Sequence, residues 1–242
     1  MSASETPHPK VPTGIPGLDQ MLRGGLPSGH VVLVTGLPGT GKTCFGLQFL
    51  MAGVARGESG VFLSLEEDVP QLMESARQFG WPVDAAVERK MLNVIRLDPR
   101  ETKQSIQRIR GEFAGELARM KAQRIVVDSV SLLHMLSDDE TNRRETLFAL
   151  AAACRASGAT SVFTAEADPL HPGVSRDGLS EYVADGVILL GYSTAAEGRR
   201  IDLSLRILKM RRTDHARSVQ PYWIRADGIE VDAQAIDFGP GA

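Results

Sequence analysis

The sequence has few cysteines and no long apolar run. Two of its 242 residues are cysteines, Cys44 and Cys154, and both fall in segments with helical apolar spacing. A chain with so few cysteines is not built on a disulfide framework, so we expect both thiols to be small core side chains. No stretch approaches the ~18 uncharged apolar residues of a membrane-spanning helix. These absences exclude a disulfide-rich secreted scaffold, and we expect no membrane contact.

The chain also lacks an excess of positive charge. Its 27 lysine and arginine residues are outnumbered by 30 aspartate and glutamate residues, which gives a formal net charge of −3. Nucleic-acid binders usually carry a clearly basic field, so the net charge gives no reason to expect one. Residues 1–10 are polar and lack the apolar core of a secretory signal. We therefore expect a flexible N-terminal lead and a cytoplasmic protein.

Alternating strand and helix patterns predict the fold class. The predicted buried strands are 30–35, 60–65, 93–97, 124–128 and 160–164, and the helices between and after them include 101–122 and 140–157. This alternation is typical of an α/β fold with a mostly parallel sheet flanked by helices. Three later strand-like segments have only turns between them, so we expect antiparallel strands at the C-terminal edge: 183–190, 201–210 and 222–224. We expect one domain over residues 11–235, then a tail at 236–242.

The octapeptide Gly36–Thr43 matches the phosphate-binding P-loop pattern G-x-x-x-x-G-K-[ST] between a predicted strand and a predicted helix. Its glycines allow backbone N–H groups to face a β-phosphate, and the following helix adds the positive end of its dipole. Lys42 would reach the β- and γ-phosphates, and the Thr43 hydroxyl would bind Mg²⁺. The structural alternative is a glycine-rich turn that begins a helix.

Carboxylates follow two of the predicted strands. Asp128 ends the strand 124–128, where a carboxylate can orient Mg²⁺ or its waters; alternatively, it caps the next turn. Glu66 and Glu67 end the strand 60–65. We expect Glu66 to be the main general base that orients the attacking water, with Glu67 supporting it. The alternative is an acidic first helical turn favoured by the helix dipole.

A late predicted strand concentrates cations. The period of two along the run 206–215 places Lys209 and Arg211 on one face, where they could clasp a phosphate. One P-loop already faces its own phosphates, so these cations are easier to supply to the nucleotide of the next subunit, as arginine fingers. Two alternatives remain: a charged edge strand that discourages aggregation, and a nucleic-acid contact strip.

The chain resembles a single KaiC-type domain of the RecA-like P-loop ATPases from Val11 to Glu230. The motifs that carry the resemblance are Gly24–Gly29, Thr35–Thr43, Ser64–Glu67, Ala76–Trp81, Asp128–Val130, Gly158–Thr160 and Ile207–Arg211. The resemblance implies ATP with Mg²⁺, a homo-oligomeric ring of about six subunits and nucleotide held between neighbours. In that family the paired glutamates serve hydrolysis, and the Lys-x-Arg strand approaches ATP from the adjacent subunit.

The resemblance also implies individual site residues. The catalytic set is Lys42, Glu66, Glu67 and Arg211, and the metal ligands are Thr43 and Asp128. Nucleotide contacts are implied for Pro38, Gly39, Thr40, Gly41, Lys42, Thr43, Cys44 and Gln78, and for Lys209, Met210, Arg211, Thr213 and His215 near the C-terminus.

Two departures from the family pattern limit what carries over. The clock protein that names the family has two such domains, and its second carries adjacent Ser-Thr phosphorylation sites. The corresponding stretch here, 178–185, has no Ser-Thr pair, so autophosphorylation and a circadian role are not transferred. Arg212 stands where glycine usually follows the Lys-x-Arg motif.

The sequence therefore predicts slow, Mg²⁺-dependent ATP hydrolysis by a ring-forming ATPase with a signalling or regulatory role. A recombinase-like module in which ATP switches DNA affinity is the alternative from another class. A third possibility, a nucleotide-gated ring that docks a signalling protein, is not separated from the first by sequence.

Overall fold

A nine-stranded sheet forms the centre of the protein in a computed structural model, which describes residues 9–97, 107–136, 139–171, 173–194, 201–234 and 236–239. The strands are β1 (Lys10–Val11), β2 (Leu26–Pro27), β3 (Val31–Gly36), β4 (Gly60–Ser64), β5 (Leu92–Arg96), β6 (Arg124–Asp128), β7 (Thr160–Glu166), β8 (Gly186–Thr194), β9 (Ile201–Met210), β10 (Gln220–Arg225) and β11 (Gly228–Val231). The order in the large sheet is β11-β10-β9-β8-β3-β7-β6-β4-β5. The six neighbouring strands β5, β4, β6, β7, β3 and β8 pair in parallel, and β9, β10 and β11 are added to β8 by antiparallel pairs. This arrangement confirms the predicted class.

Helices cover both faces of this sheet. They are α1 (Leu18–Met21), α2 (Lys42–Ala55), α3 (Val69–Gln78), α4 (Val83–Glu88), α5 (Phe113–Met120), α6 (Glu140–Ser157) and α7 (Ser180–Val183), with a π-helical turn at Arg108–Glu112 and a 3₁₀ segment at Val130–Leu136. Alternate strand residues enter different cores: Val32 and Val34 pack with α1 to α4, and Val31 and Leu33 pack with α5 and α6. Among the described residues, no helix combines the length and apolar character needed to cross a membrane.

Two sequence predictions for the elements need comment. We predicted that the segment 183–190 would join the edge as an antiparallel strand, but β8 begins at Gly186 and runs parallel to β3. Val183 instead ends the short helix α7, and the chain is already extended at Ala184. Part of the helix predicted over 101–122, residues 101–106, lies outside the described residues; the rest is the π-helical turn and α5.

Helix α2 lies directly on strand β6 because two glycines face that strand. A Cβ at Gly46 would lie 2.7 Å from Cγ1 of Val126, and a Cβ at Gly53 would lie 2.5 Å from Cδ of Arg124. Residues seven apart share one face of a helix, so both glycines belong to the same stripe, together with Thr43 one turn earlier. The close approach sets α2 lengthwise along β6.

The buried Arg124 fixes the far end of this contact. Its Nε donates to a carboxylate oxygen of Glu58 at 2.6 Å, and Nη1 donates to the carbonyls of Pro12 and Phe49 at 2.9 and 2.8 Å. The guanidinium carbon also lies 4.7 Å from the centre of the Phe49 ring. A buried cation with this many partners cannot move aside without losing them.

The described parts of both termini pack on the α2 face of the sheet. Lys10, which we assigned to the N-terminal lead, lies in β1 and donates to the Leu22 carbonyl at 3.1 Å. Ile236 and Phe238 of the predicted tail pack against the same core, and the Arg23 guanidinium lies 4.0 Å from the centre of the Phe238 ring.

Replacing Gly53 by alanine tests whether Arg124 is fixed. We expect Gly53→Ala to lower the free energy of unfolding by about 1–2 kcal/mol, because overpacking outweighs the gain in helix propensity. The matched control is Gly115→Ala in α5, where the nearest atom to a new Cβ is Nη1 of Arg119 at 3.5 Å. That variant should be about 0.5–1 kcal/mol more stable. Urea unfolding measures both, and a Gly53→Ala protein at least as stable as the parent would contradict the prediction.

Candidate nucleotide site

The P-loop connects β3 to α2 and presents unpaired backbone donors. Gly41 is the N-cap of α2 with φ 83°, and Gly39 has φ 81°, a left-handed conformation that glycine adopts without strain. The N–H groups of the first helical residues, Lys42, Thr43 and Cys44, precede any intrahelical acceptor. Such donors at a helix N-terminus bind phosphate. The side chain of Cys44 is buried, so a contact from this residue to nucleotide would come from its backbone.

Glycine is also required at two P-loop positions by close neighbours. A Cβ at Gly36 would lie 2.6 Å from the Leu190 carbonyl oxygen, and a Cβ at Gly41 would lie 2.6 Å from Cδ1 of Ile224. Around Gly39, by contrast, a Cβ would meet no atom within 4 Å, and Pro38 beside it is exposed. The loop is therefore tightly packed against β8 and β10 on one side and open on the other.

Lys42 bends back over the loop. Its Nζ donates to the carbonyls of Gly36 and Leu37 at 3.0 and 3.2 Å. Burial lowers the pKa of the Lys42 ammonium, and the negative charges of Asp128, Glu166 and Glu66 oppose that effect. The ammonium thus lies among carboxylates and can exchange its two carbonyl acceptors for phosphate oxygens.

Asp128, at the end of β6, is buried and held by two hydroxyl groups. The Thr43 hydroxyl donates to its Oδ2 at 2.7 Å, and the Thr164 hydroxyl on β7 donates to its Oδ1. Burial raises the pKa of the Asp128 carboxyl, against the two hydroxyl bonds and the nearby charge of Lys42. Hydroxyl and carboxylate oxygens suit a hard cation that shares phosphate oxygens. The donor set therefore fits Mg²⁺.

Glu66 and Glu67 lie in the bend between β4 and α3, outside the helix. Ser64 fixes this bend, since its hydroxyl donates to the Glu67 carbonyl at 2.7 Å and accepts from the Glu67 N–H at 3.1 Å. Glu66 is exposed and Glu67 is half-buried. Partial loss of hydration and the charge of Asp128 raise the pKa of both carboxyls, and Lys42 lowers the pKa of Glu66. The positive charge of Lys42 thus acts on Glu66.

Glu166 is a further carboxylate in this cluster that sequence reasoning missed. Strand β7 lies between β3 and β6 and runs to Glu166, which pairs with Gly36 in register. Nη1 of Arg176 donates to the Glu166 carboxylate at 3.1 Å, and the charge of Glu166 acts on Lys42 and Glu66. We had ended the predicted strand at residue 164. A carboxylate two residues after a buried strand was the available signal.

Tyr222 is a second missed residue. It lies on β10, is almost wholly buried, and its hydroxyl donates to the Thr40 carbonyl of the P-loop at 2.6 Å. Burial raises the pKa of the phenol, so it stays a protonated donor. The two residues are 182 positions apart, and no local pattern could have joined them.

The Lys-x-Arg strand lies at the other end of the sheet. Gly36, where the P-loop begins, pairs with Leu190 of β8, whereas Val32 at the start of β3 pairs with Gly186. Gly186 in turn pairs with Met210 of β9. Four strand residues, about 13 Å, separate these two rows. Lys209 and Arg211 therefore lie near the opposite ends of the strands from the P-loop of their own chain, about this distance away along the strand direction.

Both cations are held by the segment that leads into β8. Lys209 Nζ donates to the carbonyls of Ala184 at 2.8 Å and Glu181 at 3.3 Å. The exposed Arg211 guanidinium lies 3.5 Å from a carboxylate oxygen of Asp185, and its backbone N–H donates to the Asp185 carbonyl at 2.9 Å. The cations are thus positioned together at one surface of the chain.

The remaining predicted residues divide between the surface and the core. Arg212 has φ 58°, so it adopts the left-handed conformation that glycine would adopt at the same turn. Thr213 is hydrogen-bonded to Lys10, and His215 Nδ1 lies 2.9 Å from the Ala216 carbonyl oxygen. Met210 is buried in the core, which leaves its backbone for any contact with a neighbour.

Gln78 is exposed at the last position of α3. The next residues turn toward the β10–β11 hairpin: Phe79 stacks on Trp81 with ring centres 4.8 Å apart, and Trp81 Nε1 donates to the Asp227 carbonyl at 3.2 Å. The same hairpin contacts the P-loop through Tyr222 and Ile224, so Gln78 lies on the P-loop side of the sheet.

Comparison with known proteins agrees with this arrangement. The chain is 33% identical over 234 residues to the circadian clock oscillator protein KaiC of Parathermosynechococcus lividus, which covers 92% of the chain and 42% of that protein. It is 36% identical over 222 residues to the circadian clock protein KaiC3 of Synechocystis, covering 89% of the chain and 44% of that protein. The chain thus spans less than half the length of these curated relatives.

A solved structure and a family model match nearly the whole chain. The crystal structure of a KaiC-like protein from the hyperthermophilic archaeon Pyrococcus horikoshii superposes with a TM-score of 0.81 at 33% identity, covering 93% of this chain and all of that one. The family model described as "ATPase: KaiC" matches residues 11–236. The chain therefore belongs to the KaiC family of RecA-superfamily P-loop ATPases.

Proposed function

We propose that this protein hydrolyses ATP slowly with Mg²⁺ at the interfaces of a homo-oligomeric ring, and that the nucleotide state of the ring serves a regulatory or signalling role. The observation that carries this proposal is the division of the predicted site between the two ends of one sheet. The P-loop, Asp128 and the glutamates meet at one end, and Lys209 and Arg211 lie at the other.

ATP would be bound first by the P-loop. The free N–H groups at the start of α2 would receive phosphate oxygens, and Lys42 would leave the carbonyls of Gly36 and Leu37 for the β- and γ-phosphates. The Lys42 ammonium would then exchange two neutral carbonyl acceptors for charged phosphate oxygens. This exchange favours binding, because hydrogen bonds between charged groups are stronger.

Thr43 and Asp128 would hold the metal at this phosphate. Mg²⁺ would neutralise charge that develops on the phosphate oxygens during hydrolysis. The Thr43 hydroxyl would offer a lone pair to the ion, and its O–H would still donate to Asp128. Thr164 would keep Asp128 in place through the change, since it donates to the other carboxylate oxygen.

Glu66 would orient the attacking water and accept its proton. A general base works best when its pKa lies nearer to the working pH than that of a free carboxyl, and partial loss of hydration with neighbouring negative charge raises the pKa of Glu66. Glu67 would support this carboxylate, and Glu166 would add to the field that acts on Lys42.

Lys209 and Arg211 would act on the nucleotide of an adjacent subunit. They are separated from their own P-loop along the sheet, and a ring of head-to-tail subunits brings opposite ends of neighbouring sheets together. Arginine supplied in this way stabilises negative charge on the transferring phosphoryl group. Nucleotide held between subunits would also favour the assembled ring by mass action.

The proposed regulatory role rests on the names of the relatives and on the absence of a Ser-Thr pair in the stretch 178–185. The curated relatives are named as clock proteins, and this chain covers less than half of each. The stretch 178–185 lacks the adjacent Ser-Thr pair, so we assign nucleotide-dependent assembly rather than autophosphorylation as the signal. The partner that would receive it is a signalling protein that docks on the ring.

Removing the proposed base tests the catalytic assignment. We expect the double variant Glu66→Gln, Glu67→Gln to release phosphate at least about a hundredfold more slowly than the parent, because proton transfer is lost. ATP binding, measured with a non-hydrolysable analogue, should be retained. The control Glu88→Gln changes an exposed carboxylate at the end of α4, and this variant should release phosphate at the parental rate. Undiminished turnover of the double variant would remove the general-base assignment.

Asp128→Asn tests the buried carboxylate through pH-dependent stability. Because the folded-state pKa of Asp128 is raised, its protonated form stabilises the fold, and that stability is lost as pH rises through the folded pKa. Without nucleotide, the variant should therefore gain stability relative to the parent as pH rises above the unfolded-state pKa of the carboxyl and through its raised folded-state pKa. It should also lose the part of ATP affinity that depends on Mg²⁺.

Asp84→Asn gives the opposite sign and serves as the control. Hydrogen bonds from Arg77 hold the pKa of Asp84 below its usual range, so this carboxylate contributes stability above its unfolded-state pKa. The control should be no more stable than the parent at neutral pH. Urea unfolding across the pH series measures both variants, and an Asp128→Asn protein that gains no stability relative to the parent across the series would contradict the role of burial.

Mixing subunits tests the shared site. Lys42→Ala and Arg211→Ala proteins should each be inactive alone, and a 1:1 mixture should recover about a quarter of the parental rate, since about a quarter of the interfaces would be intact. A mixture of Lys42→Ala with Asp128→Asn is the matched control and should recover nothing, because both changes lie in the same half of the site. Size-exclusion chromatography with and without ATP and Mg²⁺ checks co-assembly. Co-assembled rings without recovery in the first mixture would refute action between subunits.

A further inference from the structure

We infer that Tyr222 is a positioning residue of the nucleotide site, whose hydroxyl holds the P-loop in the shape that binds the β-phosphate of a nucleoside di- or triphosphate. The inference rests on the proposed nucleotide binding at the P-loop and deepens it. It gives the C-terminal antiparallel strands a part in binding.

The contact adds an outside restraint to a residue whose N–H and hydroxyl are bonded within the loop, both to the Leu37 carbonyl. Tyr222 donates to the carbonyl of Thr40, which stands between Gly39 at φ 81° and Gly41 at φ 83°. Glycine has the largest choice of backbone conformations, so the peptide units next to Gly39 and Gly41 gain most from an added restraint. The Thr40 hydroxyl is already used, since it donates to the Leu37 carbonyl at 2.8 Å.

The position of the Thr40 carbonyl determines the direction of the Gly41 N–H, a hydrogen-bond donor to phosphate. The peptide unit between Thr40 and Gly41 is planar and trans, so its C=O and N–H point in opposite directions. A carbonyl that is held toward β10 therefore turns the Gly41 N–H away from β10. That N–H is one of the backbone donors that a P-loop offers to the β-phosphate.

The strand that carries Tyr222 is itself attached to the P-loop helix. Gln48 of α2 forms two bonds with the backbone of Ile229 in β11: Nε2 donates to its carbonyl at 3.1 Å, and Oε1 accepts from its N–H at 2.6 Å. Ile224 packs next to Gly41 from the same hairpin. The hairpin β10–β11 and α2 thus form one unit, and Tyr222 has a fixed base from which to hold the loop.

The expected effect is on affinity rather than on the chemical step. A loop that is ordered before the ligand arrives has less conformational entropy to lose on binding. The β-phosphate is common to ADP and ATP, and it remains part of ADP after the bond to the γ-phosphate breaks. Both nucleotides should therefore be affected equally. Interactions of this uniform kind change KM and leave kcat as it was.

The test replaces Tyr222 by phenylalanine, which removes only the hydroxyl, and Tyr192→Phe on the exposed face of β8 is the matched control. Isothermal titration of the full chain with ADP and with a non-hydrolysable ATP analogue, both with Mg²⁺, measures affinity. For Tyr222→Phe we expect Kd to rise about three- to tenfold for both nucleotides, the usual effect of one hydrogen bond. KM should rise in parallel with kcat within about twofold of the parent, and Tyr192→Phe should match the parent throughout.

A second variant keeps the test independent of how well Tyr222→Phe folds. Ile224→Val removes the Cδ1 that packs next to Gly41, at a residue that is partly exposed. It should raise Kd for both nucleotides with an unchanged thermal midpoint, which a purely structural role would not produce.

The outcomes separate the inference from the proposed function. A parent protein that binds neither nucleotide would refute the proposed function itself. A parent that binds both, with Tyr222→Phe binding equally well, would overturn the positioning role alone. Weaker binding of the ATP analogue without weaker binding of ADP would also overturn it, because the effect would then belong to the γ-phosphate.

Discussion

The close contact between helix α2 and strand β6 is the constraint on which the candidate site depends. Gly46 and Gly53 leave two gaps on one face of the helix, and Val126 and Arg124 of β6 pack into them. Thr43 lies on the same face and so reaches Asp128, although β7 separates the P-loop strand from β6 in the sheet. Larger side chains at these two glycine positions would lift the helix and break the hydrogen bond from Thr43 to Asp128, the carboxylate that we propose to hold the metal.

The burial of charge at this end of the sheet explains why the site is poised for a ligand. Asp128, Glu66, Glu67 and Glu166 lie near one ammonium group, that of Lys42, and loss of hydration raises the pKa of the first three. Close carboxylates with little positive charge between them destabilise the fold. A bound cation would relieve this cost, so the arrangement that weakens the empty site favours the filled one.

The sheet also separates functions by its two ends. Parallel strands bring their carboxyl ends to one edge, where the P-loop and the carboxylates meet. Strand β9 runs antiparallel to β8 and so brings Lys209 and Arg211 to the amino ends of the parallel strands. A single chain with this topology holds the two halves of the proposed site apart, and assembly is the means by which they would meet. The β10–β11 hairpin shows that the antiparallel extension also returns to its own P-loop.

The α/β class, the P-loop and the strand ends that carry Asp128 and the paired glutamates could be predicted from the sequence, because these features depend on local periodicity and on glycine and charge placed at short range. The sequence did not reveal the parallel pairing of β8, the insertion of β7 with Thr164 and Glu166, or the hydroxyl of Tyr222 on the Thr40 carbonyl. Strand order and contacts between residues far apart in the chain are decided by how whole elements pack. Only the tertiary structure could therefore bring these residues to the site.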